Sequence, residues 1–316
     1  MIKNKKILLT GGAGFFGVHL SQYFIKNNNK VIIFDNFKRN AIKFTQLLDH
    51  PHLKIIKGDV LSRKDLLKAK DNYDYIIHMA AIAGVDQVIN KPIETIKVNF
   101  VGTLNLLEIF EDIKLKRFLE ISTSEVFGSY VYKQEEHTNV TLGGAGEARW
   151  TYAVSKLASE HLVYSYYKIK KTPAVTLRPF NIYGPYQVGT GAIHEFIERA
   201  LQNKPIEVHN DGSQIRTWCY ISDMIDAIIS SLETKEAIGH IFNIGNPVTA
   251  ITVYNLAKLV KNITGSKSKI VFKRIKYKDV ELRIPNIDKA KNILKFNPKI
   301  DLEEGIKRTV EWYKKI

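Results

Sequence analysis

The 316-residue chain predicts an α/β fold, a doubly wound parallel sheet joined to a smaller C-terminal α/β region, and three observations carry that reading. Apolar strand-like runs alternate with helix-period stretches through the first half, the pattern of a parallel sheet covered on both faces. A glycine-rich turn, Thr10-Gly11-Gly12-Ala13-Gly14-Phe15-Phe16-Gly17, directly follows the apolar run Ile7-Leu8-Leu9. A second run, Lys30-Val31-Ile32-Ile33-Phe34, ends in Asp35, which lies 18 residues after Gly17 and 24 after Gly11.

Strand, glycine turn and helix in that order make a Rossmann-like phosphate cradle. Gly11 permits the tight turn, Gly14 lets the backbone approach a pyrophosphate, and Gly17 allows close helix packing. Phe15 and Phe16 open the helix whose N–H groups and dipole complete the cradle. Asp35 can accept both hydroxyls of an adenosine ribose and repels a 2′-phosphate, which favours NAD over NADP; Asn36 shares its turn. Lys38 and Arg39 stand beside it, and a cation there can accommodate a 2′-phosphate.

The elements that follow place a crevice. Leu53–Lys57, Tyr75–Met79 and Arg117–Ile121 read as strands, with helices near 63–70 and 93–111. Ligands of such sheets sit at the carboxyl ends of the strands, where Gly58-Asp59-Val60, Ala80-Ala81 and Ser122-Thr123-Ser124-Glu125 fall. A further strand, Ala174–Arg178, leads into the loop Pro179–Pro185, after which the alternation loosens. Residues 1–178 therefore read as the NAD-binding domain and 179–316 mainly as a substrate-binding region. Segments near 215–245, with a helix around 222–233, are expected to return to the first layer. The stretch Thr141–Gly146 reads as the most flexible loop.

Composition removes several classes of function. Apolar content is 45%, and no apolar run approaches the roughly 20 residues of a membrane span. Met1–Lys6 before Ile7-Leu8-Leu9 imitates a secretion signal, but glycines break the run at once, so it reads as the first strand. The single cysteine, Cys219, excludes an intramolecular disulfide and a multi-cysteine metal site, in accord with a cytoplasmic, reducing compartment. The formal charge of +15 is scattered over the chain, which points away from nucleic acid and membrane partners and is compatible with an anionic small substrate.

Tyr152 and Lys156 stand at i and i+4, on one face of a helix, so the ammonium can lower the phenol's pKa and hold the nicotinamide ribose. Tyr164/Lys168, Tyr166/Lys170, Tyr167/Lys171 and Tyr254/Lys258 share the spacing. Context singles out Tyr152: it opens a helix beside the small residues Ala153 and Ser155 and follows the strand-end cluster Thr123-Ser124-Glu125. The other four pairs read as exposed amphipathic faces.

With these residues assembled, the chain resembles the extended short-chain dehydrogenase/reductases, specifically the nucleotide-sugar epimerases, dehydratases and decarboxylases. The resemblance covers essentially the whole chain. Its carriers are Thr10 to Gly17, Asp35, Asp59-Val60, His78 to Ala81, Asn99, Thr123 to Gly128, Tyr152 to Lys156, Arg178 to Pro185, Arg216 with Tyr220, Asn243 to Pro247, and Arg283. It implies a nucleotide-diphosphate-sugar substrate, tightly held and recycled NAD, and a homodimer joined through the helices of Asn99 and Tyr152. It also implies that Tyr152 takes a proton from a sugar hydroxyl while hydride passes to NAD, giving a 4-keto sugar, with Thr123 bonded to the reacting oxygen. Glu125 would then remove the C5 proton before water leaves C6. Asn181 and Arg216 would bind the diphosphate-sugar, Asn99 would make a structural bond near the nicotinamide, and His78 would pack at a strand end.

Thr-x-Glu separates subfamilies: dehydratases and uronic-acid decarboxylases resemble this chain there, and sugar 4-epimerases usually do not. Ser124 replaces the aspartic acid of the deoxythymidine-diphosphate-glucose dehydratases. Arg283 matches an arginine of the decarboxylases, though an arginine there can equally grip a diphosphate, and Ala80–Asp86 lacks their proline-containing loop. The sequence reading is therefore a 4,6-dehydratase, with a uronate decarboxylase or a 4-epimerase as alternatives. A non-catalytic NAD(P)-sensing regulator is the rival from another class, and the intact Tyr152/Lys156 pair argues against it. The loop Gln187–Gly191 is expected to face the nucleotide base.

Overall fold

A computed structural model describes residues 1–277 and 279–316. Its centre is a seven-stranded sheet in which every neighbouring pair is parallel. The strands are β1 (Lys6–Thr10), β2 (Lys30–Asp35), β3 (Leu53–Lys57), β4 (Tyr75–His78), β5 (Arg117–Ile121), β7 (Ala174–Pro179) and β12 (Ile241–Ile244). Their spatial order is β12-β7-β5-β4-β1-β2-β3. The order reverses beside β1, where a crevice opens at the strand ends.

Alternate residues feed two separate cores, because successive side chains of a strand point to opposite faces. Ile7, Leu9, Ile33, Leu119 and Leu177 pack with helix α1 (Phe15–Lys26) and helix α8 (Ile221–Glu233). Leu8, Ile32, Ile76 and Phe118 pack on the other side with α2 (Arg63–Lys68), α5 (Gly102–Ile109) and α6 (Thr151–Ser165). At their carboxyl ends the strands of this second face turn polar in register. Thr10 pairs with His78, His78 with Glu120, and Glu120 with Thr176. All four side chains are buried.

The helical stretch expected near 93–111 divides into α4 (Pro92–Ile96), a π-helical turn over Lys97–Val101, and α5. Asn99 lies in that turn and explains it. Its Oδ1 accepts from the Ile82 N–H at 2.8 Å, and its Nδ2 donates to Ile82 O at 3.2 Å and to Ser155 Oγ at 3.0 Å. A widened turn at a functional site is the usual setting of a π-bulge. Ser155 Oγ in turn donates to Tyr152 O at 2.8 Å, so the strand-end loop and the start of α6 are tied through one amide.

The remaining elements form a cap over the crevice. Helices α7 (Ala192–Leu201), α9 (Val253–Thr264) and α10 (Leu302–Tyr313) pack with the parallel pair β9 (Ile206–His209) and β14 (Ile270–Lys273). A four-stranded sheet runs β13 (Ile251–Thr252), β10 (Ile215–Arg216), β15 (Leu282–Ile284), β6 (Tyr130–Tyr132). The chain therefore crosses between the layers in both directions. β6 leaves the first half for the cap, while α8 and β12 return from the second half to the central sheet.

Gly17 shows how tightly the cradle is built, since a Cβ there would collide with the Gly12 carbonyl and Cα. Gly17→Ala is expected to destabilise the protein by about 1–3 kcal/mol, the range for overpacking a rigid site. Chemical denaturation midpoints at constant m-value will measure it.

Candidate active site

The dinucleotide cradle is shaped by backbone contacts. Gly11 has φ +71°, and a Cβ on it would lie 2.7 Å from the Ala80 nitrogen, so only glycine fits between the first and fourth strands. Asp35 fixes the turn opposite: the Ala13 N–H donates to its Oδ2 at 3.0 Å and the Phe37 N–H to its Oδ1 at 2.7 Å. Burial raises the pKa of Asp35, against the lowering effect of the backbone N–H groups of Phe37, Ala13 and Asn36. Lys38 is paired with Glu94 at 2.6 Å, while Arg39 turns inward and donates to Ala83 O.

Two cavities meet at Tyr152. The first, about 330 Å³, is lined by Gly11, Gly14, Phe15, Phe16, Asp35 and Asn36 at one end and by Ala80, Ala81, Thr123 and Tyr152 at the other. Gly58 and Val60 line it too, whereas the Asp59 carboxylate serves its own turn by accepting from the Leu61 N–H at 2.9 Å. Gln187, Val188 and Thr190, from the 187–191 loop, also line this cleft. The second cavity, about 210 Å³, shares Thr123 and Tyr152 and is lined by Ser124, Glu125, Arg149, Asn181 and Arg283. The first has the size and lining for a dinucleotide, and the second is the size of a sugar ring.

Glu125 is gripped on both sides. Arg283 Nη1 donates to Oε1, and Arg149 Nη1 donates to Oε2 at 2.6 Å. Burial would raise this carboxyl, but the two guanidiniums outweigh it and hold Glu125 well below the usual carboxylate range. Arg283 also donates to Gly128 O at 2.8 Å. The Nε–H groups of Arg149 and Arg283 are buried without an acceptor among the described residues. Ser124, buried, begins the 3-10 turn that carries Glu125, and Thr123 Oγ1 accepts from the Glu125 N–H at 3.1 Å. Arg149 was not singled out by sequence reading; its position three residues before Tyr152, at the entry to α6, is the signal that locates it.

Tyr152 lies beside Thr123, and burial pushes its phenol up to about 12, with the Thr123 hydrogen bond and Arg39 lowering it and Glu125 and Glu120 raising it. Lys156, expected at the phenol and ribose, is 1% exposed and donates from Nζ to Glu120 Oε1 at 3.1 Å. The lowered phenol pKa expected from the pair is thus absent in the protein by itself. His78 has no free donor or acceptor. Thr103 gives its proton to Asn99 O at 2.6 Å, so its oxygen accepts from His78 Nε2 at 2.9 Å, and Nδ1 accepts from the Thr10 hydroxyl at 2.7 Å. Burial, reinforced by Lys156, lowers its pKa to about 3.

The substrate residues expected further along the chain occupy the cap. Asn181, at φ +43°, lines the second cavity and donates from Nδ2 to Thr217 O at 2.8 Å. Arg216 is buried on β10 beside Asp279, with Nη2 at 3.5 Å from the carboxylate. Burial lowers its pKa to about 10 despite Asp279, a sign of a guanidinium short of negative charge.

Fold and site together define a dinucleotide-dependent enzyme whose helix-borne tyrosine faces a sugar-sized cavity, with the lysine of the same helix buried behind it. The family model described as NAD dependent epimerase/dehydratase matches residues 7–245, and the chain belongs to that family, with NAD as its cofactor. It is 34% identical to the UDP-N-acetyl-alpha-D-glucosaminuronate decarboxylase of Bacillus cytotoxicus, over 99% of this chain and 98% of that one. Among solved structures it is similar to the UDP-glucuronic acid 4-epimerase of Bacillus cereus in complex with UDP-glucuronic acid and NAD. There the TM-score is 0.88 and the identity 31%, over 98% of this chain and 99% of that one. It is also similar to the dTDP-glucose 4,6-dehydratase of Bacillus anthracis in complex with NAD, with a TM-score of 0.84 and 28% identity over 98% and 97% of the two chains.

Asp35→Ala removes the carboxylate that orders the cradle and is expected to weaken NAD binding by about 1.5–3 kcal/mol, the value of hydrogen bonds to a charged group. Calorimetric titration of the stripped protein will read it. Glu125→Gln leaves two buried guanidiniums without their counter-charge and is expected to cost up to about 3 kcal/mol of stability at neutral pH. Because the folded-state pKa of Glu125 is depressed, its contribution is complete above the unfolded value of about 4.3 and is lost as pH falls toward the folded one. The gap in thermal midpoint between the two proteins should therefore narrow on acidification below that value.

Proposed function

We propose that this protein is an NAD-dependent decarboxylase of a nucleotide-diphosphate hexuronate, UDP-linked as in the full-length relative, and that it works through a 4-keto sugar. The observation that carries this reading is the Arg149–Glu125–Arg283 cluster. A 4,6-dehydratase needs a base for the C5 proton, and Glu125, held ionised far below the usual range, is a weak one. Ser124 is a poor acid for the departing C6 oxygen. A decarboxylase needs recognition of an anion instead, and Arg149, Arg216 and Arg283 outnumber Glu125 and Asp279 beside them, with the Nε–H of Arg149 and of Arg283 buried without an acceptor among the described residues.

In this reading Gly11, Gly14 and Asp35 hold the dinucleotide, and NAD supplies the hydride acceptor. Tyr152 takes the C4 hydroxyl proton while Thr123 bonds the same oxygen. The resulting ketone makes the C6 carboxylate a β-keto acid. The C5–C6 bond then breaks, carbon dioxide leaves, and the electron pair moves to the C4 oxygen, where Thr123 and Tyr152 stabilise it. C5 then takes up a proton, and return of the hydride to C4, with Tyr152 giving its proton back to the C4 oxygen, completes the pentose with no net change in the cofactor. Arg149 and Arg283 orient the carboxylate before it is lost, Asn181 holds the sugar, and Arg216 takes the diphosphate. A uronate 4-epimerase would use the same anion recognition and keep the carboxylate.

The active form is proposed to be a homodimer. Ile93, Ile96, Val154 and Tyr164, on the outer side of α4 and α6, are 72%, 44%, 46% and 44% exposed. An apolar strip of this kind on adjoining helices suits a second copy.

Incubated with UDP-glucuronate or its 2-acetamido analogue, the protein should yield a product lighter by carbon dioxide in mass spectra. A product lighter by water would restore the dehydratase, and one of unchanged mass but altered stereochemistry would make it an epimerase. Tyr152→Phe should lower kcat about 10²–10⁴-fold, the usual worth of a positioned proton-transfer group. Sedimentation at micromolar concentration should give twice the monomer mass, and Ile93→Asp should shift it toward one.

A further inference from the structure

Glu120 is a fully buried carboxyl that none of the steps above uses. It comes from the middle of the central sheet, in the row formed by Thr10, His78, Glu120 and Thr176. Its Oε1 accepts from Lys156 Nζ at 3.1 Å, and its Oε2 accepts from Thr176 Oγ1 at 3.3 Å. Lys156 and Glu120 are 1% and 0% exposed, so water screens neither charge.

We propose that Glu120 is the positioning residue that sets how much of the Lys156 charge reaches Tyr152. An ionised Glu120 cancels the ammonium and leaves the phenol hard to ionise; a protonated one releases the full positive charge toward it. The proton-transfer step is thereby governed from behind the site, by a residue that touches neither sugar nor dinucleotide. The inference rests on Tyr152 being the base and is independent of which sugar reaction follows.

The surrounding charges fit this role. Facing Glu120 are Lys156 and Glu160 from α6, Thr176 and Arg178 from β7, and His78 from β4. Glu160 is committed elsewhere, accepting from Arg178 Nε at 2.9 Å and Nη2 at 2.6 Å and from Ser122. His78 is neutral, with its pKa lowered to about 3 by burial and by Lys156. Among the described residues, Lys156 is therefore the single cation bonded to Glu120. Acting on Tyr152 are Thr123, Glu125, Arg39 and Glu120, with Lys156 one turn further along the same face of α6, and Glu125 is already neutralised by its two arginines. Burial raises the pKa of Glu120 against the pull of Lys156, so its protonation lies nearer the working range than that of an ordinary glutamate.

The test is a titration of the phenol itself. Tyrosinate absorbance of the NAD-loaded protein is recorded against pH without sugar, and the Tyr152→Phe protein is subtracted. Glu120→Gln, which keeps an oxygen for Lys156 but removes the charge, should move the Tyr152 midpoint down by about one pH unit. Glu120→Asp, which keeps the charge, should stay near the wild-type midpoint. Thr176→Val removes a bond that favours ionised Glu120 and should move the midpoint down by less. Should Glu120→Gln fail to fold, Thr176→Val carries the same sign. A midpoint unchanged or raised in the folded variants overturns the proposal. A Tyr152→Phe protein with undiminished turnover would instead remove Tyr152 as the base, while the titration would still report whether Glu120 sets its ionisation.

Discussion

A row of buried polar side chains, Thr10, His78, Glu120 and Thr176, runs across four parallel strands, and the site depends on it. Buried donors and acceptors must be matched: Thr10 and Thr176 bond to their neighbours in the row, while His78 finds a partner on α5 and Glu120 one on α6. A slip of one residue in any strand would send its polar group into the apolar core on the other face. The row therefore holds strand register and helix position together. Lys156 and, one turn earlier, Tyr152 are placed by that same constraint.

Above the row, electrostatics divides the crevice into two regions of different character. The dinucleotide end relies on backbone N–H groups, glycines and one carboxylate, Asp35. The sugar end gathers three arginines around Glu125 and Asp279, so formal charge there is one unit positive. Tyr152 stands at the boundary, lining both cavities. Ties across the boundary come from unlike sources. Asn99 couples α6 to the loop after β4, while the Arg283–Glu125 bond couples the cap to the end of β5.

Much of this arrangement was legible in the chain because it is local. The glycine turn, Asp35 at the end of β2, the strand-end cluster and the Tyr152/Lys156 spacing each occupy a short window with a definite period. The partner of Lys156 was not legible: Glu120 sits 36 residues earlier in an apolar strand, and its meeting with the lysine depends on where α6 packs over β5. The same is true of Glu125, which looked like a free base until Arg283, 158 residues distant, and Arg149 were brought to it. Helix period over 93–111 correctly signalled a helix, but not the π turn, because that turn answers to the Ile82 backbone rather than to its own sequence. Charge compensation and loop closure are properties of the assembled sheet, and a single sequence carries them only as residue types.

The place of β12 bears on how the protein is made. This strand forms one edge of the central sheet by pairing with β7, yet about 60 residues, cap elements and then α8, are synthesised between them. A chain emerging from the ribosome therefore presents β7, with its backbone donors and acceptors open, for as long as it takes to translate α7, β9 and α8. During that interval the β7 edge is a template for pairing with any extended segment nearby. The late strand acts as a seal, and the nascent chain is most exposed to aggregation shortly before that seal arrives.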